Sequence, residues 1–94
     1  MPVFAVHYRY ADDPATLAEH RSAHRRFLRD LLDEGVVLAA GAYPEGPAGA
    51  LLVFRAASVD DVAGHLQADP FLAHGLIDGT EVRQWTQAMG PWAD

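Results

Sequence analysis

The sequence predicts a single α+β domain with the element order β-α-β-β-α-β, spanning residues 1–94. Three patterns lead to this order. The chain opens on an alternating segment, and a long amphipathic segment with helix-capping residues follows it. Two apolar strands, a shorter capped helix and a last strand then complete the chain. This order is typical of the ferredoxin-like fold, in which one four-stranded antiparallel sheet carries both helices on one face.

The first strand and the first helix have clear sequence boundaries. Residues 3–10 alternate between an aromatic and apolar face and a mixed face, which predicts a strand. Asp13 can cap the helix that follows, and Pro14 suits its first turn. We expect this helix to run to about Glu34, because Gly35 can adopt the backbone conformation that closes a helix.

The second and third strands are apolar on both faces. They are predicted at residues 36–43 and 50–56, joined by the turn-rich segment PEGPAG. In the second strand, the two alternating sets are Val36, Leu38 and Ala40 against Val37, Ala39 and Gly41. Because two helices can cover only one face of the sheet, we expect a second copy of the chain to cover the other face in a two-fold dimer.

The last part of the chain predicts one short helix and one strand. Ser58 stands in the N-cap position of the helix, with Asp61 three residues on. Asp69 and Pro70 begin a further short turn, and residues 77–87 predict the last strand, which is less apolar than the others.

The composition argues against several function classes. Cysteine is absent, which excludes disulfides, thiol nucleophiles and thiolate metal sites. The net charge is −6, so a phosphate backbone is a poor partner and we expect no nucleic-acid binding. The chain shows no signal-peptide pattern and no apolar run of the roughly 20 residues that span a bilayer. We therefore expect a cytoplasmic protein without a membrane partner.

A histidine stands where the first helix should carry an apolar residue. On an ideal wheel, His24 lies within roughly 20–40° of three leucines, namely Leu17, Leu28 and Leu31. His20 and Arg21 flank it, so the N-terminal half of the stripe is polar and the C-terminal half is aliphatic. This pattern favours a helix whose N-terminal half lines a cleft. The alternative is a core histidine whose ring nitrogens are satisfied by hydrogen bonds.

Metal binding is a weak interpretation of the same segment. His20 and His24 are four residues apart on the helix, a spacing that suits two metal ligands. No third ligand follows at a fixed spacing, and two ligands do not make a site. We therefore expect no metal and no cofactor.

Asp69 also has two interpretations. As the residue before Pro70, it is a favourable N-cap for a short helix. Its carboxylate would alternatively pair with an imidazole, fix the tautomer of the ring and raise its basicity, as general acid–base catalysis requires. The spacing alone leaves open whether Asp69 and His24 meet. His7 lies on the strand face away from the helices, either in the cleft or at the dimer contact.

Three segments resemble one protein family. RSAH carries an Arg-x-x-His pattern in the first helix, AAGAYPEG resembles a glycine-containing second strand with its loop, and ADPFLAHGL carries an Asp-Pro-Phe pattern followed by glycine. In this order and spacing they resemble the YciI-like (YCII-related domain) proteins, small bacterial members of the dimeric α+β barrel superfamily. The resemblance extends from residue 3 to about residue 87.

The resemblance implies a pocket with an acid–base pair. Carried over to this chain, the pair is His24 and Asp69, and Arg21 would bind an anionic group of the substrate. The family often has Gly-Pro after the second strand, where this chain inserts Ala42 and Tyr43. We expect Tyr43, together with His7, to contact the substrate.

The preferred function is a cofactor-free lyase or isomerase that acts on a small anionic compound through proton transfer by His24. The alternative is a non-catalytic protein that binds a small ligand or serves as an accessory subunit. A cofactor-independent oxygenase is a third hypothesis, which rests on analogy with other α+β barrel dimers alone.

Overall fold

The predicted element order is confirmed by a computed structural model, which describes residues 1–93 and so leaves the last residue of the predicted domain outside the described part. The elements are β1 (Val3–Tyr10), α1 (Pro14–Asp33), β2 (Val37–Ala42), β3 (Gly49–Arg55), α2 (Val59–Leu66), α3 (Pro70–Ala73) and β4 (Ile77–Gln84). The predicted turn after Asp69 is the single-turn helix α3. The last strand ends three residues before its predicted end.

The four strands form one antiparallel sheet in the order β2-β3-β1-β4. Val6 at the centre of β1 lies opposite Leu52 of β3 and Val82 of β4. The β1 and β3 side chains on this face are buried beneath the helices and form the core together with residues of α1 and α2. The sheet therefore presents one covered face and one face without a helix.

The alternation predicted for β2 is wrong at its start. Val37 pairs with Phe54, but the next pair is Ala39 with Val53, so the register shifts by one residue between them. A bulge of this kind places the residues after it on the opposite face from the one that simple alternation gives. Ala40, opposite Leu52, therefore shares the helix side of the sheet with Val37, where alternation had separated the two.

Local capping fixes the two ends of α1. The Asp13 side chain accepts a hydrogen bond from the backbone N–H of Thr16 at 3.2 Å, and Pro14 occupies the first helical turn. Gly35 has a φ of +77°, a conformation that glycine adopts without steric cost. Between these ends, the buried residues of the helix are spaced seven apart, namely Leu17, His24 and Leu31. The histidine thus lies in the buried stripe, as the wheel predicted.

No helix among residues 1–93 combines the length and the apolar character that crossing a membrane requires.

Candidate functional site

His24 and Asp69 meet beneath the helices. His24 Nδ1 lies 2.8 Å from Asp69 Oδ1, although the two residues are 45 positions apart in the sequence. The Asp69 residue is fully buried and His24 is 5% exposed. A buried carboxylate is costly unless several donors satisfy it, so its other partners decide how firmly the pair is held.

Asp69 accepts two further hydrogen bonds. Its Oδ1 also accepts from the backbone N–H of Phe71 at 2.9 Å, which caps α3. Its Oδ2 accepts from the hydroxyl of Tyr8 at 2.9 Å. One carboxylate thus caps α3 and contacts the imidazole at the same time.

Tyr8 acts as a donor throughout the ordinary pH range. Burial, together with the charge and the hydrogen bond of Asp69, raises the pKa of Tyr8 far above its usual value. The phenol therefore keeps its proton and directs it to the carboxylate. Tyr8 ties β1 to the start of α3 through this bond.

The carboxylate determines the tautomer of the histidine. An ionised carboxylate only accepts hydrogen bonds, so His24 Nδ1 must donate and the neutral ring carries no proton on Nε2. Within the part of the chain that the structure describes, no buried side-chain nitrogen or oxygen lacks a partner. Since the bond of His24 to protein runs through Nδ1, Nε2 is the atom that solvent or a ligand can reach.

An aromatic contact fixes the plane of the ring. The Phe71 ring stacks on the His24 ring with centroids 4.0 Å apart and planes within 6° of each other. Phe71 also packs edge-on against Tyr10 at 5.4 Å. The imidazole is thus held by a hydrogen bond along one edge and by a parallel ring over one face.

A cavity of about 270 Å³ opens beside His24. Arg21, Arg25 and Leu28 of α1 line one wall, and Phe71 and Tyr10 lie at the histidine end. The facing strands contribute small or aliphatic side chains, namely Ala40, Gly41, Ala42, Ala50 and Leu52. The cavity exists because these strand residues are too small to fill the space beneath α1.

Tyr10 brings a phenol to the same cavity. Burial, with a smaller contribution from the Asp69 carboxylate, raises the pKa of Tyr10, and the positive charge of Arg21 acts in the opposite direction. Arg21 therefore lies close enough for its charge to act on a group that lines the cavity. The site combines a neutral phenol, a guanidinium and an imidazole.

The structure brings three of the five predicted site residues together. His24, Asp69 and Arg21 form the site, whereas His7 and Tyr43 lie on the uncovered face of the sheet, away from this cavity. There the Tyr43 hydroxyl is hydrogen-bonded to His7 Nδ1 at 2.9 Å, and the two rings are stacked. Within one chain these two residues are therefore separated from the site, because odd-numbered residues of β1 point away from the helices.

His20 has a different neighbour from the one that the metal interpretation requires. Its ring stacks on the ring of His74 with centroids 3.7 Å apart. The ring of His24 is bonded to Asp69 instead. Residues 1–93 contain no cluster of three or more histidine and carboxylate side chains that could hold a metal ion.

Sequence reasoning missed Tyr8, Phe71 and Arg25. Tyr8 was assigned only to the apolar strand face, but a phenol on a core-facing strand must find a hydrogen-bond partner, and this signal was available. The contact of Phe71 with the histidine depends on the path of the chain after Asp69. Arg25 follows His24 directly in the sequence, and no motif distinguishes it from the other arginines of the helix.

Comparison with known proteins identifies the family and the fold. The family model of the YCII-related domain matches residues 1–86. A solved structure of 5-chloro-2-hydroxyhydroquinone dehydrochlorinase (TftG) from Burkholderia phenoliruptrix AC1100, in complex with 2,5-dihydroxybenzoquinone, is similar with a TM-score of 0.80 and 21% identity, over 92% of this chain and 95% of that chain. No match to a curated protein was found.

Two further solved structures share the fold. Protein Atu4242 from Agrobacterium tumefaciens has a TM-score of 0.61 and 22% identity, over 100% of this chain and 100% of that chain. SnoaB, a cofactor-independent oxygenase from Streptomyces nogalater, has a TM-score of 0.53 and 18% identity, over 94% of this chain and 93% of that chain. At these identities the similarity concerns the fold.

Proposed function

The chain belongs to the YCII-related domain family, and we propose that it is an enzyme in which His24 transfers a proton to or from a small anionic compound. The observation that carries this proposal is the bond of 2.8 Å between His24 Nδ1 and Asp69 Oδ1. It lies beside an open cavity that Arg21 also lines. A base held in one tautomer beside a cation is the minimal arrangement for removing a proton from an anionic substrate.

In this proposal, each group has one role. His24 Nε2 takes a proton from a carbon or a hydroxyl group of the substrate, and Asp69 orients the ring and stabilises the imidazolium that forms. Arg21 binds an acidic oxygen of the substrate. In an elimination, the electron pair of the broken C–H or O–H bond forms a new C=C or C=O double bond, and the leaving group departs with its own bonding pair. In an isomerisation, His24 returns the proton to another atom of the substrate.

One structural neighbour supports a ring-shaped substrate. The structure of TftG, a dehydrochlorinase by name, holds 2,5-dihydroxybenzoquinone. The cavity of this chain has a stacked aromatic ring at one end and aliphatic side chains along the strands, surfaces that suit a flat apolar ring. We therefore take chlorinated and hydroxylated hydroquinones as the first substrates to test.

The test compares two histidine variants. Chloride release and quinone formation are followed with 5-chloro-2-hydroxyhydroquinone and a panel of related hydroxyquinols. We expect His24→Asn to lower kcat by about 10²–10⁴-fold, the usual contribution of a positioned acid–base group. His7→Asn removes an exposed imidazole from the other sheet face and serves as the control. Full activity in the His24 variant would refute the proposal.

The non-catalytic alternative predicts a different result from the same panel. A binding protein would bind 2,5-dihydroxybenzoquinone, convert no member of the panel, and keep its affinity after His24→Ala. An enzyme converts at least one member, and its turnover depends on His24.

We also propose that the uncovered face of the sheet contacts a second copy of the chain. Ala5, Leu51 and Val53 lie on this face, and Trp85 borders it. An antiparallel sheet with one face in water normally carries polar side chains there. Light scattering should give a dimer, and Leu51→Asp should convert it to a monomer. A wild-type chain that stays monomeric at micromolar concentration would contradict this arrangement.

A further inference from the structure

Two arginines line the same wall of the cavity. Arg21 and Arg25 are four residues apart on α1 and both line the cavity next to His24. Residues at this spacing are neighbours on one side of a helix, with Cβ atoms about 5–6 Å apart. Viewed along the helix, both lie on the same side of His24, towards β2. Arg21 belongs to the family pattern, whereas Arg25 is an additional cation.

The described part of the chain supplies no carboxylate to either guanidinium. The ion pairs within residues 1–93 are His24 with Asp69 and Arg83 with Glu81. The chain has 13 acidic residues against seven basic ones, so carboxylates are abundant, yet none of those within residues 1–93 pairs with Arg21 or Arg25. Two adjacent like charges without an anion repel each other, and this repulsion is relieved when an anionic ligand is bound.

The rest of the cavity restricts what that ligand can be. A dry cavity of about 150 Å³ is enough to hold benzene, and this one measures about 270 Å³. At this end of the cavity the lining includes the stacked rings of Phe71 and His24, which offer aromatic surface to a ligand. A ligand of this size is a single ring with a few substituents, and the arginine wall contacts one of its edges.

We propose that the cavity binds a single-ring compound with two acidic groups on one edge, and that Arg25 is the specificity-determining residue for the second group. This inference rests on the proposed function, since it takes the cavity beside His24 as the place of reaction. Arg21 binds the first acidic group and Arg25 the second, each through the two parallel donors of its guanidinium. A compound with one acidic group leaves Arg25 without a partner.

Binding of simple aromatic acids tests this assignment without a known substrate. The probes are benzoate, with one carboxylate; isophthalate, with two on one edge of the ring; and terephthalate, with two at opposite ends. By calorimetry, wild-type protein should bind isophthalate about tenfold more tightly than benzoate or terephthalate, the usual gain from one additional charged hydrogen-bonded contact. Arg25→Leu should abolish this preference and leave the affinity for benzoate within about twofold of the wild-type value.

Two variants separate the local contact from the general charge. Arg26→Leu removes the same charge from an exposed position on the same helix that does not line the cavity, and it should keep the preference for isophthalate. Arg25→Lys keeps the positive charge but lacks the planar guanidinium group, so it should keep part of the preference for isophthalate. Equal losses in the Arg25→Leu and Arg26→Leu variants would overturn the proposal. The proposal would also be overturned if the wild type showed no preference for isophthalate, or bound none of the three acids at millimolar concentration.

This test and the test of the proposed function can fail separately. The preference for isophthalate is a ratio of affinities measured in protein that keeps His24, so it does not depend on proton transfer. A preference that depends on Arg25, combined with no His24-dependent turnover, would leave the specificity assignment intact and reject the reaction. His24-dependent turnover combined with an unchanged preference in Arg25→Leu would support the reaction and reject the specificity assignment.

Discussion

One histidine on each side of the sheet is hydrogen-bonded to a side-chain oxygen, but the two pairs differ in their surroundings. On the helix side, His24 contacts Asp69, which is fully buried and accepts three hydrogen bonds. On the other side, His7 contacts Tyr43, which is 43% exposed. The bond lengths are 2.8 Å and 2.9 Å, so the distance alone does not distinguish the pairs.

The difference lies in what happens when a partner is lost. Water replaces a missing partner at an exposed pair, so such a bond contributes little to stability. The Asp69 carboxylate has no such substitute, because it is buried and each of its donors comes from a different element. We expect changes around Asp69 to affect both stability and activity. Matched changes around His7 should affect stability very little when unfolding is measured on the monomer, in which this face meets water.

The largest effect is expected for Asp69→Ala. This change removes the cap of α3 and leaves the Tyr8 hydroxyl and His24 Nδ1 without their acceptor. Breaking a buried pair of this kind costs about 3–5 kcal/mol, measured as the free energy of unfolding in urea. A loss below about 1 kcal/mol, the scale of a single exposed bond, would show that the buried pair is no more important than the exposed one.

Tyr8→Phe should have the next largest effect. It leaves Asp69 Oδ2 buried without a donor, and an unsatisfied buried acceptor costs about 1–3 kcal/mol. Tyr43→Phe removes the matching hydroxyl from the exposed pair and should change the free energy of unfolding by less than about 0.5 kcal/mol. Urea unfolding of the two variants compares the faces directly, and equal losses would remove the distinction between them.

Alkaline pH should destabilise the protein through the same buried phenol. The pKa of Tyr8 is raised in the folded state, whereas an unfolded tyrosine ionises near pH 10. As the pH rises, the unfolded chain therefore loses this proton first. The contribution of Tyr8 to the free energy of unfolding is fully present below about pH 10 and falls above it, with a slope of up to about 1.4 kcal/mol per pH unit. Tyr10, whose pKa is also raised, adds to this slope.

Unfolding measured between pH 9 and pH 12 checks this slope. Tyr8→Phe should make the slope shallower. An unchanged slope in the Tyr8 variant would mean that this phenol does not keep its proton in the folded state.

Ala40→Leu should have the smallest effect on stability and a large effect on binding. Ala40 is exposed and lines the cavity, so a larger side chain enters open space rather than the core, and surface changes usually stay within about 0.5 kcal/mol. The added side chain should block 2,5-dihydroxybenzoquinone from the cavity. Val59→Leu, an exposed position outside the cavity, is the control, and unchanged binding in the Ala40 variant would place the ligand elsewhere.

The order of the elements was predictable because each boundary has a local cause. Asp13 caps α1 through Thr16, Gly35 ends it in a left-handed conformation, and Ser58 caps α2 through Asp61. The bulge in β2 was not predictable, since it depends on pairing with β3 rather than on the β2 sequence. It moves Ala40 to the helix side, where that small residue borders the cavity.

The site was predictable in part for a similar reason. The position of His24 in the buried stripe follows from helical periodicity, whereas the resemblance to a family favoured its pairing with Asp69 and gave Arg21 an anion-binding role. The bond of Asp69 to Tyr8 joins residues 61 positions apart, and only the packed fold brings such residues together. The separation of His7 and Tyr43 from the cavity follows from the alternation of β1, but their contact with each other depends on the strand order.

The central claim is that Asp69 holds His24 with Nε2 free for a ligand, and ¹⁵N NMR of the histidine side chains tests it most directly. In its neutral form, His24 should show the Nδ1–H tautomer, and adding 2,5-dihydroxybenzoquinone should shift its Nε2 resonance while His7 stays unchanged. An Nε2–H tautomer at His24, or a ligand-induced shift at His7 instead of His24, would contradict the account.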